Sequence, residues 1–285
     1  MLDRSSIIVS MNILSNAKRV QVLAALVEGN SIRATVRMTG VAKNTIVKLL
    51  ADVGQACENY QNKVMVNLPC KRIQVDEIWS FCYAKQKNVP EQFDGQFGYG
   101  DVWTWVALDA DTKLVPTWLV GGRDAGWATA FMQDVARRLK HRIQLTSDGH
   151  KPYLTAVEDA FGGEVDYATL VKIYGKVKEP EQKYSPSHIT GCQLAVVNGN
   201  PDPKYISTSY VERQNLTMRM GMRRFTRLTN AFSKKIDNLA YAVALHFMHY
   251  NFCRIHKSLR VTPAMAAGIS DHVWEIEEII ALIEK

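Results

Sequence analysis

Residues 72–83 read RIQVDEIWSFCY, a run with the β-branched and aromatic content of a buried strand and an aspartate at its middle. An ionised carboxylate in such a run is costly unless it reaches solvent or holds a cation. Whatever this chain folds into must therefore bring Asp76 to one or the other. Alternation sends its neighbour Glu77 to the opposite face of the strand. Further strands are expected over residues 100–109 (GDVWTWVALD) and 113–120 (KLVPTWLV), joined by a tight turn at 109–112. An amphipathic helix over 124–140 lines up Trp127, Ala130, Phe131, Val135 and Leu139. A short strand at 143–146 runs into Ser147-Asp148-Gly149-His150, followed by a helix over 152–161 and a strand within 165–174. A polar, proline-containing stretch, 175–209, separates these from a helical region that opens near Tyr210. The order β-β-β-α-β-α-β-α predicts an α/β layered domain, with 175–209 as an insertion-like loop.

Charge is distributed unevenly around that centre. The net of +7 comes from 35 Lys and Arg against 28 Asp and Glu. Residues 1–72 carry 10 basic and 4 acidic residues, and residues 219–260 carry 9 against Asp237 alone. Residues 73–218 are mildly acidic, with 15 against 18. Two basic blocks flanking an acidic middle suit a polyanionic partner, because each Lys or Arg that neutralises a phosphate releases condensed counterion. A basic face is equally the description of a solvated surface. No apolar run approaches the roughly 20 residues that span a bilayer, so a soluble, cytosolic protein without a membrane partner is expected. The five cysteines are widely spaced without a CxxC pair, which argues against a disulfide framework and a zinc ribbon.

The first basic block has the outline of a helix-turn-helix. Ala17, Val20, Leu23, Ala24 and Val27 recur at helical spacing, Ser31 can cap a second helix over 31–39, and Gly40 permits the turn. A third helix opens near Ala42 and points Ile46, Leu49, Leu50 and Val53 inward. In a helix-turn-helix the start of that helix enters the major groove, which nominates Lys43, Asn44, Thr45 and Lys48 for DNA contacts, with Arg33 and Arg37 beside them. A plain helical hairpin with a basic face fits the same pattern.

Three carboxylates stand where ligands gather. Asp76 lies mid-strand, Asp148 closes a strand just before a glycine, at the edge where open α/β sheets bind ligands, and Glu212 sits in the first turn of the last helix, in YVERQN. Converging carboxylates are what hard divalent cations require, and two such ions can drive phosphodiester displacement. Taken singly, an aspartate in a turn is a cap and a glutamate at a helix start complements the dipole. Their joint placement carries the functional reading.

The stretches VDEIWSF, TSDGH and YVERQNLTMRMGMRRFTRLTNAFSK resemble a transposase of the DDE type, similar to the insertion-sequence-one family, over nearly the whole chain. The resemblance implies a ribonuclease H-like mixed sheet flanked by helices, preceded by a small all-α helix-turn-helix domain. Its divisions would be 1–60, 70–230 and 231–285. It further implies that Asp76, Asp148 and Glu212 hold two Mg²⁺ or Mn²⁺ ions, and that a basic residue seven positions after the glutamate, here Arg219, assists. Arg223 and Arg224 would then contact DNA. The implied partners are double-stranded DNA, both element ends and target, and further copies of the chain in a homodimer or larger assembly. Two departures stand out. No CxxC element precedes the helix-turn-helix, and Ile255 stands where related sequences have proline. A helix-turn-helix regulator with a degenerate nuclease domain and a nuclease that cuts without joining remain the alternatives.

Overall fold

The computed structural model describes residues 14–175, 189–226 and 230–283. Three helices open the chain, α1 (Asn16–Val27), α2 (Ile32–Thr39) and α3 (Lys43–Val64). Ser15 and Ser31 cap the first two, each hydroxyl accepting a backbone N–H (from Lys18 and Ala34), and Gly40 closes α2 at φ 71°. The inward face of α3 is the expected one, with Ile46, Leu49, Leu50 and Val53 buried. That of α1 is rotated: Val22, Leu23 and Ala25 are buried whereas Ala17 is exposed. At 22 residues α3 continues past the small N-terminal bundle and packs along α7 (Ile236–Met248). Gly54 is what lets them meet, since a Cβ there would lie 2.4 Å from the Cβ of Tyr241.

The centre is a six-stranded mixed sheet in the order β3-β2-β1-β4-β5-β6. Strand β1 (Arg72–Cys82) pairs antiparallel with β2 (Gly100–Asp109), which pairs antiparallel with β3 (Thr117–Gly121). On its other side β1 runs parallel to β4 (Ile143–Ser147), β4 parallel to β5 (Val165–Tyr174), and β6 (Ile189–Asn198) returns antiparallel along β5. Helices α4 (Ala125–Arg138) and α5 (Pro152–Phe161) cover one face, and α6 (Ser209–Gly221) crosses β1 and β2. This is the ribonuclease H-like α/β arrangement, and the expected fold class holds. A hydrophobic cluster runs from Val22 in α1 through the sheet to Ile280 in the helix Ile276–Ala281.

Two local expectations are corrected. The third strand begins at Thr117 rather than 113, because the amide of Asn251 takes the place of a neighbouring strand: its Oδ1 accepts the Val115 N–H (3.0 Å) and its Nδ2 donates to the Val115 carbonyl (3.0 Å). Pro116 then has no N–H to offer a ladder. The stretch 175–209 contains β6, an edge strand whose side chains, Leu194, Val196 and Val197 among them, are exposed. With neither face buried, β6 lacks the alternation that would have marked it as a strand. Among the described residues no helix is long and apolar enough to cross a membrane.

Candidate active site

Strand register brings the first two acids together. Arg72 pairs with Gln144, Ile73 with Leu145 and Gln74 with Thr146. Continuing that parallel register by two residues puts Asp148 level with Asp76, and the even spacing puts both on one face. Gly149 lets the chain leave β4 there, since a Cβ on it would lie 2.7 Å from Val171 Cγ2. Asp148 is fixed by its own turn, with Oδ1 accepting the His150 N–H (2.9 Å).

The same face receives α6. Gln74, two residues before Asp76, accepts the backbone N–H groups of Tyr210 (2.9 Å) and Val211 (3.1 Å) on its Oε1. A side chain of β1 thus satisfies the open amino end of the helix and pins its first turn to the sheet. Three residues after Glu212, Asn215 Nδ2 donates to Asp76 Oδ2 (2.8 Å). Asp76 Oδ1 accepts the Glu77 backbone N–H (2.9 Å). These neutral donors are the hydrogen-bond partners of Asp76. Burial, with the negative charges of Glu77 and Asp148, pushes its carboxyl up to about 7.

Glu212 lines the same cleft, of about 760 Å³, with Asp76, Asp148, Arg123, Lys151 and Lys172. Its carboxylate is already engaged: Lys172 Nζ, from β5, forms an ion pair with Oε2, and Thr208 Oγ1 donates to Oε1 (2.7 Å). Among the described residues no three Asp, Glu, His or Cys side chains are gathered closely enough to hold one metal ion. The donor chemistry nonetheless fits a divalent cation at Asp76 and Asp148. Both are oxygen ligands, close enough that the charge of Asp148 raises Asp76, and among the described residues no Lys or Arg is paired with either. Glu212 stands at the cleft but apart from them, held by Lys172 and Thr208.

On the opposite face Glu77 has what Asp76 lacks. Its Oε1 accepts from Arg123 Nε (2.8 Å) and its Oε2 from the Tyr153 hydroxyl (3.0 Å), with His150 Nε2 3.9 Å away. Arg123 also lies over the Trp103 ring, 4.3 Å from its centre.

The remaining nominated residues fall into two groups. Arg33, Arg37, Lys43, Asn44, Thr45 and Lys48 are all exposed on α2 and the start of α3, Lys48 paired with Asp52 at 2.7 Å. Arg223 is exposed, just beyond α6. Arg219 is half-buried on the last turn of α6. Arg224 is turned inward, its Nε donating to Ser233 Oγ (2.8 Å), and burial lowers its guanidinium to about 10. The sequence reading did not single out Gln74, Lys172 or Asn215. Each carries a signal in retrospect: Gln74 shares strand parity with Asp76, Lys172 shares it with Asp148 through the β4–β5 register, and Asn215 follows Glu212 by three on a helix.

No family model matches the chain and no curated protein does. Among solved structures, the Mos1 transposase paired-end complex with left transposon end is similar over 54% of this chain and 58% of that one, at 11% identity and a TM-score of 0.25. The Mos1 mariner paired end complex with Mn is similar over 82% and 75%, at 11% and 0.29. The piggyBac transposase synaptic complex with hairpin DNA is similar over 88% and 56%, at 11% and 0.30. The chain thus spans less than two thirds of the length of the first and third. Likeness this slight carries no chemistry across; the sheet order and the side chains have to do so.

Proposed function

We propose that this protein is a DNA transposase that binds the ends of a mobile element and cuts and joins phosphodiesters in the Asp76–Asp148–Glu212 cleft. One observation carries the reading: Asp76 on β1 and Asp148, just past the end of the adjacent parallel strand β4, line one cleft, and among the described residues no Lys or Arg is paired to either. Mg²⁺ or Mn²⁺, as two ions, would supply activation of the attacking oxygen and stabilisation of the leaving one. Asp76 and Asp148 would be the principal ligands and Glu212 the third. Asn215 orients Asp76, and Gln74 sets the position of α6 and so of Glu212. Arg123 and Lys151 line the cleft as cations for the phosphates of a bound strand, and Arg219, on the last turn of α6 seven residues after Glu212, with Arg223 just beyond it, would hold further phosphates. Alignment and charge neutralisation then suffice, without a covalent intermediate on the protein.

Recognition is assigned to the N-terminal helices. Lys43, Asn44, Thr45 and Lys48 at the exposed start of α3, with Arg33 and Arg37 on α2, suit a major groove and its flanking phosphates. Arg224, in the second basic block beside Arg223, is assigned a further DNA contact, with the difference that its guanidinium faces Ser233 and must turn out to reach DNA. Two ends to be joined call for at least a homodimer, acting on double-stranded DNA in the cytoplasm. The test is incubation of the protein with DNA carrying the element ends and a target plasmid. Mn²⁺- or Mg²⁺-dependent nicking at the ends, lost in Asp148→Asn with DNA binding intact, supports the assignment. Cleavage that survives in that variant refutes it, and cleavage with no joined product narrows the protein to a nuclease.

A further inference from the structure

Lys172 has no part in the chemistry proposed above, yet among the described residues it makes the one direct cation–carboxylate pair between residues lining that cleft. It lies on β5, one strand in from the edge. Parallel register relates Gln144 to Asp166 and Ser147 to Thr169, so Leu170 comes level with Asp148, and Lys172 follows on the same face. From there its ammonium reaches Glu212 on α6, and the pair is only partly open to water: the side chains are 18% and 40% exposed. With Thr208 on the second oxygen, each oxygen of the Glu212 carboxylate already has a partner from this chain. Asp76 and Asp148 meet no such cation.

We infer that Lys172 is a built-in counter-cation for Glu212. It holds the third acid to β5 while no divalent ion is present, and it yields Glu212 when one binds at Asp76 and Asp148. The inference rests on the cation site proposed above and adds its regulation. An ammonium and a divalent cation cannot share one carboxylate in a confined cleft without repulsion. Every cation that recruits Glu212 must therefore first break the pair, and its apparent affinity is reduced by what the pair is worth. The device keeps the three acids from gathering at one point when no cation is bound. It also couples the third ligand to occupation of the first two.

Titration of Mn²⁺, followed by the electron paramagnetic resonance of the free ion, tests this without any need for DNA. Lys172→Met should bind Mn²⁺ about tenfold more tightly than wild type, the size of one part-buried pair released, and Lys172→Gln should do the same should the Met variant fold poorly. Lys172→Arg should stay near wild type. Lys151→Met removes a charge from the same cleft without breaking a pair, and should change affinity by no more than about twofold. In a Glu212→Gln background the Lys172→Met gain should vanish. A Lys172→Met protein that binds no more tightly than Lys151→Met overturns the inference, as does a gain that persists beside Glu212→Gln. Absence of Mn²⁺ binding in wild type and Lys172→Met alike would instead refute the cation site itself, and the counter-cation with it.

Discussion

Asp76 and Glu77 are consecutive on β1, and the two faces of the sheet treat them oppositely. The face under α4 and α5 gives Glu77 an arginine, a tyrosine hydroxyl and a nearby histidine. Its charge is balanced from within, as a buried carboxylate requires. The face under α6 gives Asp76 an amide and a backbone N–H, and sets a second aspartate beside it. A strand that buries one acid with a complete set of partners and sets the next beside two other acids separates a structural carboxylate from the one proposed above as a cation ligand.

The largest effect expected from that contrast is catalytic. Asp76→Asn or Asp148→Asn should lower cation-dependent DNA cleavage by about a thousandfold or more, because an ion held at a transition state is worth several kcal/mol. Binding to element-end DNA, measured by gel shift, should stay within about twofold. A variant of either acid that retained cleavage within tenfold would erase the distinction between the two faces.

Stability should move in opposite directions on the two faces. Arg123→Met strips Glu77 of its charge partner. Arg123 is itself 40% exposed, so solvent screens part of the pair and the expected cost is about 1–2 kcal/mol by urea denaturation. On the other face, metal-free Asp76→Asn should be more stable than wild type at pH 8 by about 1–2 kcal/mol. The sign follows from the raised carboxyl. A folded-state value of about 7 means the native protein holds this proton more firmly than the unfolded chain does. The group's favourable contribution is complete below about pH 4 and is lost as the pH rises through 7. The advantage of Asp76→Asn should therefore shrink as the pH is lowered from 8 to 5. Saturating Mn²⁺ should raise wild-type stability and leave the variant unmoved.

The smallest effect belongs to the group that joins α6 to the sheet. Gln74→Met keeps the volume but leaves two backbone N–H groups in the first turn of α6 without their acceptor, a loss of about 1 kcal/mol in all because water reaches the partly open Tyr210 N–H. Because Gln74 sets the start of α6, the same variant should weaken Mn²⁺ binding several-fold more than it weakens DNA binding.

Much of this was legible beforehand, and the failures have physical causes. β-branched and aromatic content marked β1 and β2, short apolar runs marked β4 and β5, and the period of two along β1 placed Asp76 and Glu77 on different faces. Ser31 and Gly40 marked the two ends of α2. Strand β6 escaped because an edge strand exposed on both faces writes no burial pattern. The start of β3 was misplaced because its partner at Val115 is the side chain of Asn251, 136 residues away in sequence. The site divided the same way. Asp76 and Asp148 could be paired by counting along strands, whereas the hold of Lys172 on Glu212 joins β5 to α6 across a gap no local spacing spans. Arg224 reads as one of a basic run, and only packing turns it toward Ser233.

The central claim is that the α6 face of β1 is built for a cation that the protein does not itself supply. Its most direct test is a crystal soaked in Mn²⁺ and measured at a wavelength where manganese scatters anomalously. The account predicts an anomalous peak liganded by the carboxylates of both Asp76 and Asp148 and none beside Glu77. A saturating soak that leaves Asp76 and Asp148 without manganese, or that places the ion against Glu77 instead, would contradict it.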